Sequence, residues 1–178
     1  MSDAENQWWQ TETNDEVPTK RDLWEPLADA IGGFDLDPAA GCEPTPIAED
    51  RYTKADDGLS QPWYGTVWLN PPFSEKKQWY RKLVDEYWNG DVTRAVALAT
   101  VDPSANWFHQ WFSTADLICY LDGRDWYLAG DSPTFSTMVG VWNPTDDVRE
   151  KLSRLGTLAE PIYEQQDQRL DSFGGDSE

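Results

Sequence analysis

The chain has 178 residues but only two cysteines, two methionines and one histidine. Cys42 and Cys119 are too few, and too unlike a ligand spacing, to suggest a zinc site or a disulfide framework, so no metal is expected. No apolar run approaches the roughly 20 residues of a membrane span, and the opening MSDAENQWWQ lacks the pattern of a signal peptide. A reduced, cytoplasmic setting is expected. The Gly-x-Gly-x-x-Gly fingerprint of dinucleotide folds is missing too, which argues against NAD. Positive charge is scarce: 14 Lys and Arg stand against 33 Asp and Glu, a net charge of −19. Binders of nucleic acid neutralise phosphates with cations, so this balance speaks against a simple DNA-binding surface. It also suits a protein that works in strong salt. At about 1 M the screening length falls to about 3 Å, and local contacts outweigh global repulsion. The salt reading is preferred here.

What the chain does have is aromatic area. It carries 11 Trp, and 13% of its residues are aromatic, enough to build a core although hydrophobic residues total only 39%. The length fits one domain. Residues 1–17 are polar and acidic without periodicity and read as a disordered segment, apart from the Trp8-Trp9 pair. Residues 19–31 read as a helix with Leu23, Trp24, Leu27 and Ile31 on one face. Thr19 is its candidate cap, Pro26 suggests a late start or a kink, and Gly32-Gly33 ends it. Phe34 to Asp37 is a short strand, and 41–63 carries many turn residues and little regular structure. Residues 66–69 form a strand and about 74–89 a helix, with Trp79, Leu83, Val84, Tyr87 and Trp88 at helical spacing and Asn89-Gly90 as its stop. Arg94 to Val101 suits a buried parallel strand. Ser104 opens a short helix with Trp107, Phe108, Trp111 and Phe112. Strands follow at 117–121 and 134–142, then a helix at about 146–155 capped by Thr145. Strands alternating with helices imply an α/β domain over 18–156 with a mostly parallel central sheet, followed by an acidic, flexible tail over 157–178.

The strand Thr66-Val67-Trp68-Leu69 runs into Asn70-Pro71-Pro72-Phe73. Neither proline nitrogen carries a proton, so the backbone leaves the sheet as a rigid corner with free carbonyls and an outward amide. An amide oxygen and a carbonyl can accept both protons of an exocyclic amine, and Phe73 can stack on the ring that bears it. The corner therefore suits a flat, amino-bearing heterocycle; the plain alternative is an ordinary turn. Strand, polar corner and helix is also how open α/β sheets bind ligands at strand ends. In Phe34-Asp35-Leu36-Asp37-Pro38-Ala39-Ala40-Gly41, two carboxylates at a strand end precede small residues that let a ligand approach. Asp37 either caps the turn or holds an amine or ribose hydroxyls.

FDLDPAAG, Arg51-Tyr52-Thr53, Asp56-Asp57-Gly58-Leu59, Trp63, Gly65 and VWLNPPFS together resemble the phage-type, Dam-like DNA N6-adenine methyltransferases, over about Leu23 to Trp142. The acidity adds the expectation of a haloarchaeal or haloviral member. The resemblance implies a reduced Rossmann-like S-adenosylmethionine-dependent methyltransferase fold, S-adenosylmethionine as methyl donor, and N6 of adenine in DNA as acceptor. It implies that Asn70 and the Pro71 carbonyl, with Pro72 shaping the corner, accept the N6 protons of a flipped base while Phe73 stacks on it. Asp37, and Asp35 with it, would hold the methionine end or ribose of the donor. Asp57 would contact its adenosine, and Pro38, Ala39 and Ala40 would let it pack closely. The chain departs from the family where an aromatic-Thr-Pro segment usually precedes the first helix, since it has Val17-Pro18-Thr19. It departs again at Asp102-Pro103-Ser104-Ala105-Asn106, which lacks the usual basic or Thr-rich character.

Candidate DNA contacts are Lys76, Lys77, Arg81 and Lys82, the densest basic cluster, and Arg124. The plain alternative for the cluster is one solvated helix face. His109 reads as a packing or surface residue. The expected role is modification of viral or proviral DNA against restriction, by a monomer or weak dimer. Two other readings stand beside it: an amino-group methyltransferase acting on protein glutamine or RNA, and a non-catalytic DNA mimic or binding module, which the −19 charge would suit.

Overall fold

In the computed structural model, residues 17–41, 44–124, 126–127 and 135–161 are described. The order is α1 (Arg21–Ile31), β1 (Phe34–Asp37), β2 (Ala48–Arg51), β3 (Gly65–Leu69), α2 (Lys76–Asn89), β4 (Val92–Thr100), α3 (Asn106–Gln110), β5 (Leu117–Leu121), β6 (Thr137–Trp142), α4 (Asp146–Ser153) and β7 (Gly156–Ala159). The strands form one sheet in the order β2-β1-β3-β4-β6-β5-β7. β2, β1, β3 and β4 pair in parallel. β6 lies antiparallel between β4 and β5, and β7 is antiparallel to β5. The mostly parallel sheet expected from strand–helix alternation thus holds for the first part only. The parallel pairing stops at β4, beside which β6 lies antiparallel.

Alternation along the central strands assigns side chains to two cores, because successive residues point to opposite faces. Ala95, Ala97 and Ala99 of β4 face one layer, with Val67 and Leu69 of β3. Val96 and Leu98 face the other, with Trp68. The first layer also holds Trp63, Trp79, Tyr80, Trp107, Phe112 and Trp142, so the small alanines leave room for large rings. Gly140 on β6 serves the same purpose, since a Cβ there would sit 2.8 Å from Phe112 Cζ. The second layer packs under Leu23 and Leu27 of α1 and Val148 and Leu152 of α4.

Several boundaries differ from the expected ones. α1 begins at Arg21 and runs through Pro26, and its preceding residue Lys20 makes no side-chain cap. Thr19 instead forms an antiparallel bridge with Tyr127. Thr145 does cap α4, its Oγ1 accepting from Val148 N–H at 3.2 Å. Trp88 is solvent-exposed rather than packed. β2 occupies a stretch expected to be irregular, and β7 extends the sheet into the segment expected to be a tail. Residues 1–16 with the Trp8-Trp9 pair, Cys42, Thr134 and residues 162–178 lie outside the described residues. Among those described, no helix is long and apolar enough to cross a membrane.

The buried ionisable groups set a response to alkali. Tyr80 donates to the Leu98 carbonyl at 2.6 Å, and burial raises its pKa well above the ordinary value. Burial also raises Tyr127 and pushes the Cys119 thiol to about 11. Unfolded, these groups ionise near ~8.5 for Cys and ~10 for Tyr. Each folded pKa lies above its unfolded value, so the stabilisation is complete below those pH values. It is lost as pH rises from them toward the folded values. The melting temperature should therefore be level from pH 7 to 8 and fall steadily from pH 9 to 11, Cys119→Ala flattening the first part of the fall. A level profile to pH 11 would refute this.

Candidate active site

The loops leaving the carboxyl ends of β1, β2 and β3 enclose a cleft of about 330 Å³. Its first wall is the turn after β1. Asp37 is almost fully buried, and its Oδ1 accepts from Ala39 N–H at 3.1 Å. The Asp37 carbonyl accepts from Tyr52 N–H at 2.9 Å and Ala40 N–H donates to the Tyr52 carbonyl at 3.0 Å, fastening the turn to the end of β2. Pro38 and Ala39 line the cleft from this wall.

The second wall is the loop after β2. Thr53 donates to Asp56 Oδ2 from both its N–H (2.7 Å) and its hydroxyl (2.6 Å), and these bonds lower the Asp56 pKa. Asp57 adopts a left-handed backbone with φ 51°, and its carbonyl accepts from Ser60. Gly58 then sits against the Pro38 carbonyl so closely that a Cβ would lie under 3 Å from that oxygen. Trp63 Nε1 donates to the Gly58 carbonyl at 2.7 Å and stacks on Trp79, the rings 5.9 Å apart at 29°. Trp79, from α2, lines the cleft, and among the described residues its buried Nε1 has no hydrogen-bond partner.

The third wall is the Asn70–Phe73 corner with the two residues after it: Pro72, Ser74 and Glu75 reach the cleft. Asn70 Nδ2 donates to the Val17 carbonyl at 2.8 Å and to Thr19 Oγ1 at 3.1 Å. Among the described residues, no hydrogen bond uses Asn70 Oδ1 or the Pro71 carbonyl as acceptor. Phe73 is half-buried and packs edge-on with Tyr127 (5.9 Å) and Phe135 (5.1 Å).

Of the residues singled out from the sequence, Pro38, Ala39, Asp57 and Pro72 meet at the cleft. Asp37 shapes the turn and is not part of the lining. Asp35 is not in the cleft either: its carboxylate accepts from Thr66 N–H at 2.6 Å and ties β1 to β3. The basic cluster divides. Lys76 donates to Thr100 Oγ1 at 3.1 Å and lies 4.9 Å from the Trp107 ring centre, burial lowering its pKa. Lys82 pairs with Glu86 at 2.6 Å and lies over Trp63. Lys77 and Arg81 are exposed and four residues apart on α2, hence on one face, with Arg81 3.7 Å from Asp85. The cluster is thus neither a single solvated face nor four outward cations. Arg124 is exposed beyond β5, and His109 is exposed.

Sequence reasoning placed none of Trp79, Tyr52, Thr53, Lys54 and Glu75 at a binding site, yet all five border the cleft. Trp79 read as core because its helical spacing satisfies the core as well. Nothing local announced the bonds from Asn70 to residues 17 and 19, which span more than fifty positions of sequence.

A family model described as DNA N-6-adenine-methyltransferase (Dam) matches residues 3–138. A DNA N-6-adenine-methyltransferase of Escherichia phage T1 is 30% identical over 139 residues, 67% of this chain and 55% of the phage protein. The chain thus spans about half the length of that curated relative. No solved structure matches.

Proposed function

The chain belongs to the DNA N-6-adenine-methyltransferase (Dam) family, and from that premise we propose that it methylates N6 of adenine in DNA with S-adenosylmethionine as donor. The observation that carries this reading is the adjacency at Pro72: a cofactor-sized cleft abuts a corner whose Asn70 offers an oxygen acceptor. The cleft volume falls in the ~300–1,000 Å³ range of small-molecule sites. Its chemistry fits the donor, with the aromatic rings of Tyr52 and Trp79 in its lining and the carboxylates of Asp57 and Glu75 for cationic groups. Bound there, S-adenosylmethionine would supply an electrophilic methyl on a sulfonium centre.

The chain's own residues do the rest. Asn70 Oδ1 and the Pro71 carbonyl hold the two protons of the exocyclic amine, which directs the nitrogen lone pair toward the cleft. Phe73 gives the base an apolar contact, its own ring steadied by Tyr127 and Phe135. The work is positioning and electrostatics, and the base must leave the duplex to reach the corner. Asp37 acts through the Pro38–Ala39 turn, which it holds in place. Lys77, Arg81 and Arg124 are exposed cations that would meet phosphates, Arg81 exchanging its contact with Asp85 for one. The modification would protect the DNA that carries it from restriction endonucleases sensitive to adenine methylation. The net charge of −19 supports work in concentrated salt, and it also favours the second reading, a non-catalytic DNA mimic.

One experiment separates these readings. Melting is followed with and without S-adenosylmethionine, at low salt and in about 2 M KCl. Ligand at 100 times its dissociation constant adds about 2.7 kcal/mol, a rise of roughly 5–10 °C for a chain of this size. The protein is then incubated with unmethylated DNA and the hydrolysed nucleosides are weighed by mass spectrometry. N6-methyladenine with a cofactor shift supports the enzyme; a folded protein with neither supports the mimic. A melting temperature no higher in KCl than at low salt would sink the salt reading.

A further inference from the structure

We infer that Thr19 is a positioning residue for Asn70: with the Val17 carbonyl it engages both amide protons, so that Asn70 can meet the target base only as an acceptor. The inference rests on the methyl-transfer reading above. A backbone carbonyl can only accept, so the Asn70 atom 2.8 Å from Val17 O is the amide nitrogen. Thr19 Oγ1, 3.1 Å away, takes the second proton. An amide has two N–H donors and one oxygen. With both donors turned to residues 17 and 19, Oδ1 lies on the opposite side of Cγ.

That orientation selects chemistry. A base edge bearing an exocyclic amine meets an acceptor and bonds to it. An edge bearing a carbonyl meets lone pairs with its own lone pairs, and the site is left with an unmade hydrogen bond. The short segment before α1 thus sets what the corner accepts, although it belongs to neither the cleft nor the corner. The segment is itself well fixed. Thr19 is 1% exposed and bridges Tyr127, and Lys20 N–H donates to the Trp126 carbonyl at 2.9 Å. Leu23 and Leu27, both fully buried, anchor the helix that follows. The Thr19 hydroxyl is therefore presented by backbone held on both sides.

The Val17 carbonyl is beyond the reach of substitution, so Thr19 is the handle. Thr19→Val keeps the shape and removes the acceptor; Thr19→Ser keeps the acceptor and trims the shape. The full chain is used, with DNA sites first located from the adenines the unaltered protein modifies. Thr19→Val should lower kcat about 5–10-fold, the effect of one hydrogen bond, with KM for S-adenosylmethionine within about twofold. Thr19→Ser should return kcat to within about twofold of the parent. The preference in binding affinity for a duplex with adenine over one with hypoxanthine at the target should narrow in Thr19→Val and recover in Thr19→Ser. Independently of any variant's folding, the Asn70 side-chain amide protons should exchange with solvent far more slowly than those of an exposed asparagine. Unchanged kcat in Thr19→Val, equal loss in both variants, or fast exchange at Asn70 overturns the inference while leaving the methylation reading intact. An unaltered protein that makes no N6-methyladenine overturns both.

Discussion

Asn70→Ala is expected to reduce N6-methyladenine formation by at least about 10²–10³-fold, the scale found when one oriented polar group is removed from a reacting centre. The alanine cannot accept an amine proton. The Pro71 carbonyl remains, but a single acceptor holds one proton and leaves the amine free to swing. The same substitution removes the Asn70 bonds to the Val17 carbonyl and the Thr19 hydroxyl. Each lost hydrogen bond costs about 0.5–1.5 kcal/mol, so a drop of a few degrees in melting temperature should accompany the loss. Cofactor binding should survive, because the cleft is built from the turn after β1, the loop after β2, Pro72 and α2 rather than from Asn70. The signature is therefore turnover lost with the S-adenosylmethionine thermal shift kept. Activity within fivefold of the parent would remove Asn70 from the reaction. Loss of the thermal shift as well would mean the corner and the cleft are not separable in the way the geometry indicates.

The parts of the fold that were legible in the sequence are those where a local pattern and the tertiary contact agree. β4 alternates Ala with Val or Leu, and the two faces of the sheet need that alternation. Gly90 stops α2 with φ 87°, a conformation that glycine adopts without strain. β2 was illegible because an edge strand of sequence Ala-Glu-Asp-Arg buries one residue and exposes three, which leaves no apolar period to read. β7 hid in an acidic context for a similar reason, with no residue of its four fully buried. The reversal of β6 depends on which gap in the sheet a strand enters, and no local pattern encodes that. Within the site, residue types were legible but their partners were not. Asp35 and Asp37 look equivalent as paired carboxylates at a strand end, yet register sets Asp35 against the Thr66 amide while the following turn claims Asp37. Lys76 and Lys82 read as surface cations from their type alone. The aromatic walls of Trp107 and Trp63 draw them inward, because an ammonium is attracted to a ring face.

The strongest test of the cleft itself is Gly58→Ala, judged against Gly32→Ala. At Gly58 the backbone is not in the left-handed region, so alanine meets no conformational penalty there; the obstacle is space. Its Cβ would fall under 3 Å from the Pro38 carbonyl oxygen and 3.2 Å from Trp79 Cη2. The first neighbour is backbone and the second is a ring stacked on Trp63, so neither yields easily. The loop must lift, which opens the contact between the two walls and pulls on the Trp63 bond to the Gly58 carbonyl. Overpacking of this kind costs about 1–3 kcal/mol. Gly32 presents the opposite case. Its φ of 82° penalises alanine by about 1–2 kcal/mol, but nothing lies within 4 Å of the added carbon. The two variants should therefore lose similar stability for unrelated reasons, one steric at the cleft and one conformational at the end of α1. Only Gly58→Ala should also lose the thermal shift with S-adenosylmethionine, and methylation should fall with it. If both variants keep the shift, the donor does not bind between Pro38 and Gly58. If both lose it, the shift reports global stability rather than the cleft.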